Sequence, residues 1–343
     1  MEINKLAFSG GAIRGIAYVG IFKKIEELVY ERKLAEAKDD FDSSKCNIPI
    51  FNIKTICAVS SGSIFSLIYL LNYTYAEMLE EVMTKNFDNL KNVRIMNFIS
   101  KYGLDDGSNI MEWLGSLMKR KGVDPNVTLK EFYELNKIDF QIMATNLNKY
   151  CYKKFNYIET PDLKVLDAIK MSMSVPFLFT MNKYEGDIYV DGGLIDNYPI
   201  RAFNGDLNNF LGFKLIYFGE MHTHNMNEKI DNIESYIYNI LCCYIVQKER
   251  ITTLWEEYKN CTVYITTLQS QVSGMNFGLN NAEKHALIEI GYNSLNNYFK
   301  EKNSEMNSEK NSEMNSEMNS EKNSEKNSEM NSEMNSKMNS EKN

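Results

Sequence analysis

Two spacings of apolar residues alternate along the first 300 positions. Ile3 to Phe8 is a short apolar run of strand length, and from Ala12 to Lys33 apolar residues recur at helical intervals through Ile16, Val19, Ile21, Ile25 and Leu28. A polar loop holding Asp39 to Ser44 separates these from a second interior run, Phe51 to Val59, which an apolar helix from Ser61 to Leu71 follows. Strand, helix, strand, helix in this order predicts a parallel sheet with right-handed crossovers. Tyr75 to Asn136 reads as mostly helical, broken at Gly103 and Gly107. Strand-like runs return at Phe140–Ala144, Tyr150–Ile158, Ile188–Val190, Leu215–Phe218 and Val263–Thr266, and closing helices are expected at Ile233–Trp255 and Ala282–Tyr298. The fold class is therefore α/β, with a central, mostly parallel sheet flanked by helices.

The pattern stops after Phe299. From Glu301 to Asn343 the chain is an array of Asn-Ser-Glu-Met and Asn-Ser-Glu-Lys units, interrupted once by Lys337. Asn and Ser are poor helix formers and no apolar stripe exists to dock, so a disordered low-complexity tail is expected at 301–343, after one domain at 1–300. With 10 Glu and 6 Lys, this tail holds half of the chain's net charge of −8.

That acidity argues against a nucleic-acid binder, which presents a basic footprint. The most apolar stretch, Ile64 to Leu71, is interrupted by Ser66 and falls far short of the roughly 20 residues that cross a bilayer. No transmembrane span and no secretory leader are expected, and the six cysteines, without CxxC spacing, read as reduced thiols. The expectation is an intracellular, cytoplasmic protein whose membrane contact, where it occurs, is peripheral.

Three constellations carry chemistry. The first, Ser9-Gly10-Gly11-Ala12-Ile13-Arg14-Gly15, lies between the first strand and its helix. Glycines there allow a tight turn that points amide N–H groups at an anion, whether a phosphate or the oxyanion of an acyl-transfer intermediate. A plain structural turn accounts for the same residues. A dinucleotide fingerprint does not, because Ala12 occupies its middle glycine and no suitable acid ends a second strand about twenty residues on.

The second is Ala58-Val59-Ser60-Ser61-Gly62, again where a strand gives way to a helix. A nucleophile elbow strains its serine and brings the residues two before and two after nearly into contact, so both must be small. Ser60 has Ala58 and Gly62 at those offsets, whereas Ser61 has Val59 and Ser63 has Phe65. Only Ser60 fits, although a serine N-cap opening an ordinary helix would look similar. The third is Asp191-Gly192-Gly193 after Ile188–Val190, a carboxylate at a strand end free of side-chain clutter and equally readable as a turn.

In order and context the three resemble the patatin-like phospholipase family, and Met171 to Phe179 is similar to the stretch that precedes the family's catalytic Asp. The resemblance runs from about Leu6 to Pro199. It implies Ser60 as nucleophile and Asp191 as base, an oxyanion hole at Gly10, Gly11 and Ala12, and Arg14 at the loop's basic position. Gly15, Ala58, Gly62, Gly192 and Gly193 support the motifs. Two residues depart from the pattern: Ala58 stands for the elbow's first glycine and Ala12 for a glycine of the oxyanion loop, a change that matters only at a positive φ.

The resemblance further implies a serine acyl hydrolase of phospholipase A type. Its substrate would be a phospholipid or other lipid ester at a membrane or micelle surface, cleaved through an acyl-enzyme with no metal and no cofactor. Triacylglycerol hydrolysis, acyl transfer, or lipid binding without turnover on the same fold are the alternatives. Of the three histidines, His222, His224 and His285, none sits in a catalytic motif, and His222 with His224 lacks the carboxylates of a metal site. Direct proton transfer to Asp191 would require burial to raise its pKa. Arg14 is a candidate for steering a lipid phosphate, or for a surface salt bridge or helix-side role. Ile95, Met96, Phe98, Ile99 and Trp113 are candidates for an apolar mouth, or for core.

Overall fold

A computed structural model describes residues 1–43, 46–217, 258–267, 277–305, 307, 308 and part of 233–244. Within Met1–Leu295, the larger of two compact units, the expected alternation produces one eight-stranded sheet. Its strands, with a separate two-stranded pair, are β1 (Glu2–Phe8), β2 (Ile50–Val59), β3 (Gly103–Asp105), β4 (Asp139–Asn146), β5 (Cys151–Phe155), β6 (Phe177–Phe179), β7 (Asn182–Tyr184), β8 (Asp187–Asp191), β9 (Phe210–Tyr217) and β10 (Thr262–Thr267). The spatial order is β10-β9-β1-β2-β4-β8-β7, with β5 also on β4 and β3 paired with β6 away from the main sheet.

From β10 to β4 the neighbours are parallel, and β5, β8 and β7 add antiparallel pairings at the β4 end. Parallel strands covered on both faces should be apolar throughout, and Leu6, Ala7, Phe8, Ile56, Cys57, Ala58 and Val59 are all fully buried. Since β2 and β9 flank β1 on opposite sides, the crevice beyond the carboxyl ends of β1 and β2 lies where chain direction across the sheet diverges. Open α/β sheets bind ligands at such places.

Helices α1 (Ala17–Glu36), α2 (Ser61–Leu70), α3 (Tyr75–Thr84), α4 (Ile95–Lys101), α5 (Ser108–Arg120), α6 (Leu129–Asn136) and α7 (Val165–Met173) occupy the connections. The first predicted helix starts differently from expectation: Ala12–Ile16 is a 3-10 turn, and the α-helix opens at Ala17. The aromatic pair Phe8–Tyr18, at 5.1 Å, locks this turn against the end of β1. At Gly103 and Gly107 the helical region breaks as expected, but the residues between form β3, because Gly103–Asp105 finds a partner strand in β6. Capping boxes at Thr74–Glu77 and Thr128–Glu131 set the starts of α3 and α6.

Sequence periodicity gave no sign of α7, β6 or β7, all of which lie in short or mixed stretches. The predicted helix at 233–255 falls largely outside the described residues. The C-terminal helix runs over 281–305, past the expected boundary at 300, and Lys302 with Glu305 forms an ion pair one turn apart. A helix already nucleated extends through Glu and Lys at one hydrogen bond per added residue, so its end does not coincide with the start of the repeats. The rest of the repeat array lies outside the described residues, apart from 307 and 308. Gly20 lets α1 approach this helix closely, since a methyl group there would sit 1.9 Å from the Ile288 carbonyl oxygen. Among the described residues no helix is long and apolar enough to cross a membrane.

Candidate active site

At the carboxyl end of β2 the chain reverses through Ser60 into α2, and Ser60 adopts φ 53°, ψ −127°. That region is disfavoured for any residue with a side chain and persists only where surrounding bonds over-determine it. The Ser60 amide donates to Ser172 Oγ at 2.9 Å, and the same hydroxyl donates to the Met143 carbonyl at 2.6 Å. On the other flank the Ser60 carbonyl accepts from the Ser63 amide at 2.9 Å and the Ser63 hydroxyl at 2.6 Å. The size rule at Gly62 has a plain origin: a methyl there would lie 2.7 Å from the carbonyl oxygens of Phe8 and Ser9, so only glycine lets α2 start against the end of β1. Ala58, in contrast, fits as a fully buried residue of β2.

Asp191 ends β8. Its amide donates to the Ser174 carbonyl at 2.8 Å and its carbonyl accepts from Thr145 Oγ1 at 2.9 Å, so the backbone is pinned on both sides. The side chain turns inward: Ser60 Oγ donates to Oδ2 at 2.6 Å, across 131 positions of sequence, and the Gly193 amide donates to Oδ1 at 2.7 Å. Burial pushes this carboxyl up to about 6, against a partial lowering by the bonds from Ser60 and Gly193. Gly192 packs on the Met143 carbonyl, the atom that also anchors Ser172.

The glycine loop lies directly beside this pair, since a methyl on Gly10 would reach within 3.1 Å of Ser60 Cβ. Its amides are not equivalent. Gly10 N–H donates to the Asn197 carbonyl at 3.1 Å, while Gly11 and Ala12, where the 3-10 turn opens, donate to no backbone carbonyl among the described residues. Ala12 does adopt a positive φ, 51°, so its departure from glycine is of the kind that matters.

Arg14 corrects the surface salt-bridge reading. It is buried, donating from Nε to the Gly11 carbonyl at 3.3 Å and from a terminal nitrogen to Thr267 Oγ1 at 3.3 Å, and therefore braces the loop against β10 and does not face solvent. Gly15 sits against Phe65 and Ser61, and Tyr18 donates its hydroxyl to the Ser9 carbonyl at 2.7 Å, holding the loop from beneath. Burial pushes the Tyr18 hydroxyl well up, so it stays a donor.

Of the candidate mouth, Ile95, Met96, Phe98 and Ile99 are exposed, but Trp113 is buried, with Nε1 donating to Glu81 Oε1 at 2.7 Å and its ring packed edge-on against Phe87. Trp113 belongs to the helical core. His285 is exposed on the C-terminal helix, and His222 and His224 lie outside the described residues. No group of three metal-ligating side chains occurs among the described residues. Ser172 and Asn197 had no assigned role in the sequence. Only the match of Met171 to Phe179 to the stretch before Asp191 hinted at Ser172, and nothing pointed to Asn197.

A family model for patatin-like phospholipase matches residues 6–204, from within β1 to just past Asn197. The chain belongs to this family. Among relatives of this patatin-like chain, protein R571 of Acanthamoeba polyphaga mimivirus is 28% identical over 299 residues, covering 86% of the chain and 93% of that protein. A protein of Invertebrate iridescent virus 6 named probable lipid hydrolase 463L is 29% identical over 200 residues, 57% of this chain and 61% of that protein. The crystal structure of VipD from Legionella pneumophila aligns with a TM-score of 0.50 at 16% identity, covering 88% of this chain and 67% of that one, and shows the common fold.

Proposed function

We propose that this patatin-like protein is a lipid acyl hydrolase of phospholipase A type, with Ser60 as nucleophile and Asp191 as base. Family membership and the similarity to a protein named probable lipid hydrolase support the coarser reading of a lipid ester hydrolase. The observation that carries the finer one is the 2.6 Å contact between Ser60 Oγ and Asp191 Oδ2 in a buried site where the carboxyl is pushed up to about 6. A carboxylate at its ordinary pKa is a feeble acceptor for a serine proton, and raising it toward neutrality improves it as a base while leaving it ionised at pH 7. At that separation the hydroxyl proton passes directly, with no intervening imidazole.

In the proposed cycle, Ser60 Oγ attacks the ester carbonyl carbon as its proton moves to Asp191 Oδ2. The oxyanion is received by the amides of Gly11 and Ala12, whereas the Gly10 amide holds the loop through Asn197. Collapse expels the alcohol, which takes the proton from Asp191 and leaves an acyl-Ser60. Water then gives a proton to the same carboxylate as it attacks the acyl carbon, and collapse breaks the bond to Ser60 Oγ, which takes that proton back from Asp191 as the fatty acid leaves. No step draws on a metal or cofactor. The strained φ of Ser60 turns its side chain off the line of the helix, where its hydroxyl meets Asp191.

The test is to incubate wild type, Ser60→Ala and Asp191→Asn with phospholipids, lysophospholipids and triacylglycerols and identify products by mass spectrometry. Fatty acid release by wild type, lost in both variants, is expected. Release by Asp191→Asn at the wild-type rate would overturn the dyad. A lipid-binding protein without turnover is distinguished by a fluorophosphonate probe, which should label wild type and not Ser60→Ala.

A further inference from the structure

A chain of net charge −8 that cleaves lipid esters needs a local means of contact with a lipid surface, because its overall charge opposes anionic headgroups. The segment from Lys91 to Gly103 differs from its surroundings in two respects. It contains three cations, Lys91, Arg94 and Lys101, and no acid. It also contains α4, a helix with no buried residue, in which Ile95, Met96 and Ile99 are 74%, 70% and 69% exposed. Such a short helix gains little from its own hydrogen bonds, and an apolar face held in water calls for something that covers it.

The apolar surface extends toward the site. Phe98 of α4 meets the ring of Phe177, which is 49% exposed, with centroids 6.4 Å apart. Phe177 opens β6, paired with β3 immediately after α4, and Lys101 accepts from the Met181 amide at 3.2 Å, so helix and strand form one unit. Next to Phe177, Leu178 is buried against Val175, Phe179 and Ile237. The stretch Lys170 to Tyr184 repeats the charge pattern, with Lys170 and Lys183 and no acid. Three residues before Phe177, the Ser174 carbonyl holds the Asp191 amide at 2.8 Å, so this surface is continuous with the backbone that positions the carboxylate.

We propose that α4 and Phe177 form a docking surface for a lipid bilayer carrying anionic headgroups, seating the Ser60–Asp191 pair beside the lipid; the inference rests on the lipid hydrolase reading. Exposed apolar side chains enter the headgroup boundary, and binding grows with the apolar area buried together with the attraction between basic residues and anionic lipid. Arg94 and Lys101 are exposed and form no ion pair among the described residues, which leaves both charges for the lipid. A second copy of the chain, the other occupant an apolar face could take, would bring the same unpaired Arg94 and Lys101 to the contact, while the nearby acids Asp88 and Asp106 already lie beside Lys91 and Lys170.

Sedimentation of the full chain with vesicles tests this, in a Ser60→Ala background so that turnover is not needed for binding. On phosphatidylcholine vesicles containing phosphatidylserine, the triple variant Ile95→Ser, Met96→Ser, Ile99→Ser should bind at least about tenfold more weakly. The double variant Arg94→Glu, Lys101→Glu should lose more than about tenfold on these vesicles and little on phosphatidylcholine alone. With Ser60 intact, both variants should keep the wild-type rate on a water-dissolved short-chain ester and lose rate on vesicles. Vesicle binding by the triple variant equal to that of its parent overturns the proposal. So does a fall in its mass from dimer to monomer by light scattering with vesicle binding unchanged, which would give the face to a second copy. If the surface binds vesicles but no ester is cleaved, docking stands and the hydrolase reading fails; cleavage with unaltered vesicle binding in both variants gives the reverse.

Discussion

The two strand-to-helix turns at the head of the sheet leave adjacent parallel strands, with Phe8 opposite Ala58, yet they bring different groups to the same spot. After β1 the chain offers backbone amides; after β2 it offers a side chain. Each contains a non-glycine residue at positive φ, Ala12 at 51° and Ser60 at 53°. At Ser60 the proposed reaction needs the hydroxyl, so a change of residue would not relieve the strain without losing that group, and bonds with Ser172 and Ser63 hold the turn in place. At Ala12 the proposed oxyanion role calls only for the N–H, so the methyl would add strain without contributing a group. On that proposal, the turn that presents a side chain demands strain, whereas the turn that presents amides only tolerates it.

The largest expected break in this comparison is at the elbow. Ser60→Ala should lower fatty acid release by a factor of about 10⁴ or more, by analogy with removal of other hydrolase nucleophiles, while thermal unfolding stays close to wild type. Next comes Asp191, whose folded pKa of about 6 lies above the ordinary value of 3.8. The rate should rise with pH through about 6 and level off above it, since the base must be ionised.

Stability runs the other way, because a raised carboxyl pKa means that the folded state binds the proton more tightly than the unfolded chain. The penalty falls away below about 4, grows as pH rises toward 6 and is constant above. Asp191→Asn can still accept from the Gly193 amide through Oδ1, while its Nδ2 donates to Ser60 Oγ and reverses that bond; with the charge gone it should stabilise the protein at pH 7.5 by about 3 kcal/mol, a gain that shrinks below about 1 kcal/mol at pH 4 and vanishes near pH 3 in urea titrations.

Gly62→Ala probes the seam between the turns, where the new methyl would press on the Phe8 and Ser9 carbonyl oxygens. A loss of about 2 kcal/mol in unfolding free energy is expected, with activity falling because both turns must shift. The smallest effect belongs to Ala12→Gly, which should stabilise the fold by about 1 kcal/mol or less, as relief of the positive φ is offset by the freedom glycine adds to the unfolded chain. A destabilisation at Ala12→Gly would show that its methyl packs usefully and would erase the contrast with Ser60.

Local spacing made much of the molecule legible. The runs at Ile3–Phe8 and Phe51–Val59 and the helical spacing after each were enough for two parallel strands with helical crossovers, because burial on both faces leaves a continuous apolar signal. The short strands β6 and β7, three residues each, have no periodicity to read and exist because partner strands are supplied from elsewhere. The rule of small residues around Ser60 singled out that serine, and the structure shows what Gly62 must clear. Trp113 was open to a mouth or a core reading, because an apolar residue on a helix does not announce which way its face is turned, and the structure puts it in the core.

What the sequence determined by itself was local: where strands give way to helices, which serine an elbow can hold, and that two glycines follow a carboxylate at a strand end. These depend on neighbours a few positions away, whose sizes and spacing are written in order along the chain. The tertiary structure decided the rest. It brought Asp191 within 2.6 Å of a hydroxyl 131 positions distant, drew Arg14 inward to Thr267 and tied the Gly10 amide to Asn197. It also buried the carboxyl deeply enough to raise its pKa, and desolvation and long-range hydrogen bonding arise only when distant segments exclude water together.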